Sequence, residues 1–506
     1  VTAVDDPPGS IASVTRTQTE YRPIWVRDAA MDWFGVGYLG RWLFTEGLAV
    51  IYLVAFVAAA RQFRALLGSR GMLPIPGYLA TSSFRRSPSI FHWHYSDRFY
   101  AAVAWTGTAF AAATVLGVTT RLPLPLSMLV WLLMWVLYLS IVNVGQLWYG
   151  FGWESLLLET GFLAIFVGNA ATAPPVVVML LLRWLLLRLE FGAGLIKIRG
   201  DPCWRHLTCL YYHHETQPMP GPLSWYFHHL PRPLHRVEAA GNHVTQLVVP
   251  FLLFAPQPVA AGAATVMIVT QLWLVASGNF SWLNWLAIVL ACSVLPDAML
   301  SRLLRIQAPE TSAAPLWFTI LTLALTVGVV VLSWWPVRNM LGHHQLMNAS
   351  FNHWHLVNTY GAFGSVTRVR TEIVVEGTAD ETVGPTSEWR EYEFKGKPGD
   401  PARRPRQFAP YHLRLDWLMW FAAISPGYGN RWFGAFVRRL LENDRDTLKL
   451  LRRNPFPDEP PRYVRARLYE YRFTDRRTRN ASGNWWDREL LSVCMRPVSL
   501  ARFGRS

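Results

Sequence analysis

Charge is what this sequence has least of. Only 16% of its 506 residues are charged, against roughly 25% in ordinary soluble domains. Hydrophobic residues reach 52% and aromatic residues 14%. Between Tyr100 and Leu182 the only charged side chains are Arg121, Glu154 and Glu159. Apolar surface on that scale cannot be hidden inside a soluble domain, which excludes a water-soluble enzyme, and the same composition excludes disorder. Lysine is nearly absent, with 4 against 44 arginines. That bias fits a GC-rich genome, and Val1 in place of Met reads as a trimmed terminus or as a GTG start, the second pointing to the expected bacterial source. Four cysteines (Cys203, Cys209, Cys292, Cys494) are too few for a disulfide scaffold. There is no P-loop, no GxSxG and no dinucleotide fingerprint, so neither nucleotide nor acyl-enzyme chemistry is indicated. No repeat of 20–50 residues is visible. Residues 1 to 33 are polar and mixed in charge, without the early apolar core of a secretory signal. A first membrane span can itself direct insertion.

What is present is a series of apolar windows. Spanning a bilayer takes about 20 mainly apolar residues. Windows of that kind lie at 42–60, 100–118, 126–144, 153–167, 176–196, 243–254, 259–276, 282–295 and 316–335. Two are short, as re-entrant or buried segments are. The expectation is a polytopic α-helical membrane protein of about eight or nine spans.

Beyond Pro336 the composition changes. Residues 340 to 506 hold 27 of the 48 basic and 18 of the 33 acidic residues. Runs rich in β-branched and aromatic residues at 370–377, 389–394 and 463–473 read as strands. Stretches 415–424 and 432–441 read as helices, the second amphipathic. The organisation predicted is therefore a polar segment 1–33, a helical bundle 34–339 containing a polar connection 197–242, and a C-terminal extramembrane domain 340–506 that is β-rich with some helix. The net charge of +15 and pI near 9.9 belong mostly to that tail. Its matching acidic residues and its membrane anchor argue against nucleic acid as a partner.

The charges left in the bundle are the candidate chemistry. A carboxylate in hydrocarbon costs a few kcal/mol, so it faces the bundle interior and has a partner. Glu154 and Glu159 would form an intramembrane polar network with Arg183, Arg188 and Glu190 of the next helix, either as an interhelical lock or as a proton or substrate site. Lys197 is the only lysine in the first 394 residues. It reads as a snorkelling lysine at a helix end or as a deprotonatable base, and with Glu154 and Glu159 it makes up the catalytic set an enzyme would use. Asp201-Pro202 reads as a helix start. If that helix continues, Cys203 and Cys209 stand about 9 Å apart along it and cannot bridge; if the segment is irregular and faces an oxidising compartment, a disulfide is possible. Seven histidines lie between His206 and His243. The adjacent pairs His213-His214 and His228-His229 do not place two ligands on one helix face, so no metal site and no cofactor is expected. Trp204 and Trp225, with the tail arginines Arg403, Arg404 and Arg406, are candidate contacts for a client protein or for lipid headgroups.

Four blocks carry a family resemblance: YGFGWESLLLETGFLAIFVG from Tyr149, RGDPCWRHLTCLYYHHETQPMP from Arg199, HLVNTYGAFGSVTRVRTEIVVEGT with the following WREYEFKGKPGDPARRPRQFAPYHLRLDWLMWFAA, and NPFPDEPPRYVRARLYEYRFT. In this order they resemble the lipase maturation factor family. The resemblance implies a polytopic protein, in animals of the endoplasmic reticulum membrane, needed for dimeric lipases to reach an active fold. A bacterial member would sit in the cell membrane. It also implies that the C-terminal domain and the cysteine-bearing connection face the lumen or exterior, whereas the arginine-rich connections 61–99 and 197–242 would point to the cytoplasm by the positive-inside rule. More distantly, FGAGLIKIRGD (Phe191 to Asp201) resembles a helix end of vitamin K-dependent gamma-carboxylases that carries a basic lysine. The leading expectation is a maturation factor or chaperone for a secreted, lipase-like client. The alternatives are a membrane enzyme of gamma-carboxylase type and a lipid or small-molecule transporter. Oligomeric state is left open.

Overall fold

A computed structural model describes residues 33–504; all but the last residue of the polar segment 1–33 lies outside this range. The first long helix, α1 (Tyr38–Leu66), begins at Gly37 with unpaired N–H groups, as every helix does. They are satisfied from far away. The Asp297 carboxylate accepts from the Tyr38 N–H at 2.9 Å and the Leu39 N–H at 2.8 Å. A β-carbon at Gly37 would collide with that carboxylate, so glycine is required by the close approach.

The bundle continues through α2 (Asp97–Val115), α3 (Leu124–Val144), α4 (Gly152–Ala164), α5 (Val176–Arg199), α6 (Leu210–Thr216), α7 (Arg232–Leu247), α8 (Val259–Ser277), α9 (Leu283–Cys292), α10 (Asp297–Leu304) and α11 (Leu316–Leu332). Among the described residues, four helices are long and apolar enough to cross a membrane: α1, α3, α8 and the stretch Leu316–Leu341 that includes α11. The bent pair α9–α10, turned by 111°, would make a fifth. The expected count of eight or nine is not confirmed. α4 has 13 residues, roughly 20 Å of helix, too short to span. α5 has the length but carries Arg183, Arg188, Glu190, Lys197 and Arg199. The window 243–254 is not one helix: it straddles the end of amphipathic α7 and a 3-10 segment, Val249–Phe254, where Pro250 lacks the N–H that a continuing helix needs. The window 282–295 ends before Pro296, and the bend there carries Asp297 to the start of α1.

The tail folds around a four-stranded antiparallel sheet of β1 (Arg370–Thr378), β2 (Arg390–Glu391), β3 (Tyr463–Phe473) and β4 (Trp486–Val498), in the order β2-β1-β3-β4. Ile373 lies opposite Leu468 and Phe473 opposite Trp486. In the run 389–394 only Arg390 and Glu391 pair as strand with β1, and Glu393 makes an isolated bridge to Arg453. β4 escapes the sequence reading because it is a mostly exposed edge strand with mixed polarity and Pro497, features common on sheet edges. Helix α12 (Arg414–Ile424) crosses β1, where the Thr371 hydroxyl donates to the Ala423 carbonyl at 2.9 Å. Helix α13 (Phe433–Leu441) buries Phe436, Val437, Leu440 and Leu441.

The tail is docked into the bundle. Gln62 of α1 donates to the His412 carbonyl at 2.7 Å and accepts from the Arg414 N–H at 3.2 Å. Trp148 and Trp432, both fully buried, bring their rings to 5.3 Å.

Candidate functional site

Glu154 lies in the first turn of α4 and is fully buried. Its cation is Arg414, at 2.7 Å, and none of the three neighbours expected on α5. Arg414 also donates to the Trp148 carbonyl at 2.6 Å and stacks 3.5 Å from the Tyr149 ring centroid. The Tyr138 hydroxyl donates to the second carboxylate oxygen at 2.5 Å. His412 stands 3.5 Å away, but burial and the neighbouring Arg414 push its imidazole down to about 4. It is neutral at physiological pH, so Arg414 carries the counter-charge.

Glu159, five residues on, pairs with Arg188 as expected. It also accepts from the Asn358 N–H at 2.8 Å, the Asn358 amide at 3.0 Å and the Tyr360 hydroxyl at 2.7 Å. Arg188 donates in turn to the Asn358 carbonyl at 2.6 Å. Three of these donors converge on Oε2 and Arg188 meets Oε1, so the buried carboxylate is closed in by the protein's own groups. Arg183 is not in the network: it donates to the carbonyls of Leu253, at 2.7 Å, and Phe34.

Lys197 and Glu190 belong elsewhere. They line a cavity of about 820 Å³ walled by α5, α7, α8, α9, α12 and the segment 360–367. The Lys197 ammonium donates to Asn242 at 2.7 Å and Gln246 at 2.9 Å, and lies 4.9 Å from the Trp204 ring. It does not snorkel; it is 5% exposed because two amide oxygens of α7 satisfy it inside. Gln246 donates to Glu190 at 3.2 Å, Gln271 donates to Glu190 at 2.6 Å, and Asn284 donates to Gln271 at 2.6 Å. The result is a polar ladder across α5, α7, α8 and α9. The other lining residues are largely apolar and aromatic, among them Leu189, Leu234, Phe363, Trp417 and Phe421, the composition of a site for an apolar molecule with one polar end. Glu154 and Glu159 are not among the described lining residues, so the catalytic set expected from sequence is split between a closed network and an open wall.

The one-turn helix Pro202–Arg205 starts where Asp201 accepts from the Cys203 N–H at 3.0 Å. Arg368 holds the Asp201 carboxyl below the usual range. The helix then stops, with Leu207 in the left-handed region at φ 58°. That turn returns Cys209 to a Cα–Cα distance of 4.8 Å from Cys203, and the two are joined in a disulfide. Trp204 and Trp225 are each 3% exposed, which corrects their expected role as surface contacts. Their indole N–H groups donate to the Phe363 and Thr474 carbonyls, each at 2.8 Å, tying the 197–242 connection to the tail. Arg403 is half-buried against the Phe394 and Lys397 carbonyls. Arg404 is exposed, donating to the Pro222 carbonyl at 3.1 Å, and Arg406 is exposed as well.

Sequence reasoning missed Arg414, His412, Asn358 and Tyr360 on the closed side and Asn242, Gln246 and Gln271 on the open side. One signal was readable: Arg414 and Asp416 interrupt an apolar helix, as Glu154 does.

A helical half with four or five candidate spans and a docked β-containing domain define a multi-pass membrane protein. Residues 39–302 match the family model for the lipase maturation factor transmembrane domain, and residues 356–496 match that for the lipase maturation factor C-terminal domain. The chain is 41% identical to lipase maturation factor 1 of Bos taurus over 92% of its length and 90% of the bovine protein. It is 40% identical to lipase maturation factor 1 of Homo sapiens over 92% and 89%, and 29% identical to human lipase maturation factor 2 over 91% and 83%. No solved structure matches. The chain belongs to the lipase maturation factor family. Nothing in these comparisons supports the bacterial source read from the arginine bias.

Proposed function

We propose that this protein is an integral membrane maturation factor that helps a secreted lipase fold or assemble. The observation that carries this reading is the identity of about 40% to lipase maturation factor 1 over nearly the whole of both chains. The 197–242 connection and the tail act as one client-facing unit. Its support is the direct bonding between them: Arg370 donates to the carbonyls of Glu215, at 2.8 Å, and Pro218, at 3.1 Å. This unit faces the lumen, where the Cys203–Cys209 bridge is stable. With Trp204 and Trp225 buried, the apolar client contact moves to an exposed aromatic group: the Phe84 ring lies tilted at 5.4 Å from Trp93 and edge-on at 6.5 Å from Trp354, and Trp93 is 75% exposed. Exposed aromatic clusters of this kind mark interaction surfaces. The enzyme and transporter alternatives gain no support from the separation of Lys197 from Glu154 and Glu159.

The test is co-expression with a lipase in cells lacking their own maturation factor. Secreted lipase activity per mass of lipase should rise with this chain and fall at least about threefold with Trp93→Ser/Trp354→Ser, since interface aromatics dominate binding, while thermal unfolding stays unchanged. A folded chain that leaves lipase activity at background overturns the proposal. Truncation is a poor substitute, because removing residues 340–506 also strips Glu154 and Glu159 of Arg414, Asn358 and Tyr360.

A further inference from the structure

Two buried histidines and a partly buried glutamate beside the cavity turn toward one another atoms that no hydrogen bond among the described residues satisfies. His235 and Glu238 are one turn apart on α7, and His214 comes from α6. His214 Nε2 lies 3.6 Å and His235 Nδ1 3.8 Å from Glu238 Oε2. One ligand atom from each residue falls within 4.8 Å of the others. His214 and His235 are 1% and 2% exposed. Among the described residues, neither ring nitrogen of His214, nor His235 Nδ1, nor Glu238 Oε2 has a hydrogen-bond partner. Buried polar atoms seldom go unpaired, and three of these, His214 Nε2, His235 Nδ1 and Glu238 Oε2, converge on one point, which calls for a common cause.

The surrounding bonds say what kind. His235 Nε2 is 3.3 Å from the His228 carbonyl, which can only accept, so Nε2 carries the hydrogen. Nδ1 of the neutral ring is then a lone pair aimed at a carboxylate oxygen, which is also a lone pair. Trp273 donates to the other carboxylate oxygen, Oε1, at 2.7 Å, leaving Oε2 free to face the imidazoles. An outer hydrogen bond to a carbonyl that fixes the tautomer, and another that orients the carboxylate, are the usual supports of metal ligands. A protonated imidazole would close on the carboxylate to about 2.7–2.9 Å, well inside the separations seen. A tetrahedral zinc ion bound at 2.0–2.1 Å sets its ligands about 3.3 Å apart, close to them.

We propose that His214 Nε2, His235 Nδ1 and Glu238 Oε2 bind a divalent transition metal, with Zn²⁺ the best fit to two imidazoles and one carboxylate. Glu238 also lines the cavity, so the ion sits in its wall. This departs from the absence of a metal expected from sequence: the adjacent histidine pairs share no helix face, whereas His235 and Glu238, one turn apart on α7, do.

The experiment uses the full chain purified in detergent. Its metal content is measured by mass spectrometry, and after chelation it is titrated with Co²⁺, read by visible d–d absorption, and with Zn²⁺, read by thermal unfolding. The expected result is about one bound Zn²⁺ per chain, a tetrahedral Co²⁺ spectrum, and an unfolding temperature restored by Zn²⁺ and not by Mg²⁺, because the donor set is nitrogen-rich. His235→Ala and Glu238→Gln should each weaken metal binding by about tenfold or more. His206→Ala, at an exposed position, should leave it intact. Wild-type protein that takes up neither Zn²⁺ nor Co²⁺ beyond the His214→Ala/His235→Ala variant overturns the proposal, and that comparison holds even if single variants fold poorly. Equal loss in His206→Ala overturns it as well.

Discussion

Glu154 and Glu159 share a bundle with Glu190 and Lys197, yet the two sets draw their neighbours from different places. Glu154 and Glu159 are closed by residues of the tail: Arg414 lies 260 positions after Glu154, and Asn358 and Tyr360 about 200 after Glu159. Glu190 and Lys197 are held by amides of α7 and α8, within the bundle, and one side of that ladder opens on a cavity. An ionisable residue in an apolar window thus has two structural meanings. Where a distant segment completes it, the charge clamps two domains together. Where only neutral amides satisfy it, the charge is left facing a space that something else can enter.

The comparison breaks most readily at Arg414. Arg414→Met should strand the Glu154 carboxylate and cost about 3–5 kcal/mol, seen as a large fall in unfolding temperature and in recovered protein. Asp416 sharpens the contrast with a charge inside the tail. Burial pushes its carboxyl up to about 6 from an ordinary 3.8, opposed by the Gly396 N–H and by Lys397, Lys395 and Arg403. A group with a raised folded pKa favours the folded state below its unfolded value and loses that contribution as pH rises. Tail stability should therefore decline by up to about 3 kcal/mol between about pH 4 and pH 6, and Asp416→Asn should flatten that slope in thermal melts. Opening the Cys203–Cys209 loop with Cys203→Ser/Cys209→Ser should cost about 2 kcal/mol, as expected for so short a loop, and reductant should do the same to wild type. The smallest effect belongs to the open ladder. Lys197→Arg has space to fit and two acceptors to meet, so it should change stability by less than about 1 kcal/mol and leave lipase maturation near wild type. Loss of maturation in that variant with the fold intact would revive the enzyme reading.

How far the sequence could be read follows from the range of its signals. Local periodicity placed α1, α3, α8 and α11, β1 and β3, and both tail helices, because each depends on its own residues. It does not by itself give a span count, because hydropathy marks burial as well as bilayer: α4 is apolar because the bundle surrounds it. Whether the helix from Pro202 continues or gives way to an irregular segment stays open in the sequence, since nothing local fixes Leu207 at positive φ. Glu154 and Lys197 were visible as anomalies in apolar windows. Their partners were not, because Arg414 and Asn358 are paired by tertiary packing across hundreds of residues. Trp204 and Trp225 looked like surface contacts because an indole suits an interface as well as a core, and only their hydrogen-bond partners in the tail decide between the two.

A double-mutant cycle at Glu154 and Arg414 tests most directly whether the closed network clamps the tail to the bundle. Glu154→Gln and Arg414→Met are compared with the pair by equilibrium unfolding of the full chain in detergent. Each single change should cost about 3 kcal/mol or more, and the double variant should recover most of that loss, since removing both partners leaves no buried charge unpaired. Additive costs in the double variant would contradict the account and return Glu154 to the list of functional carboxylates.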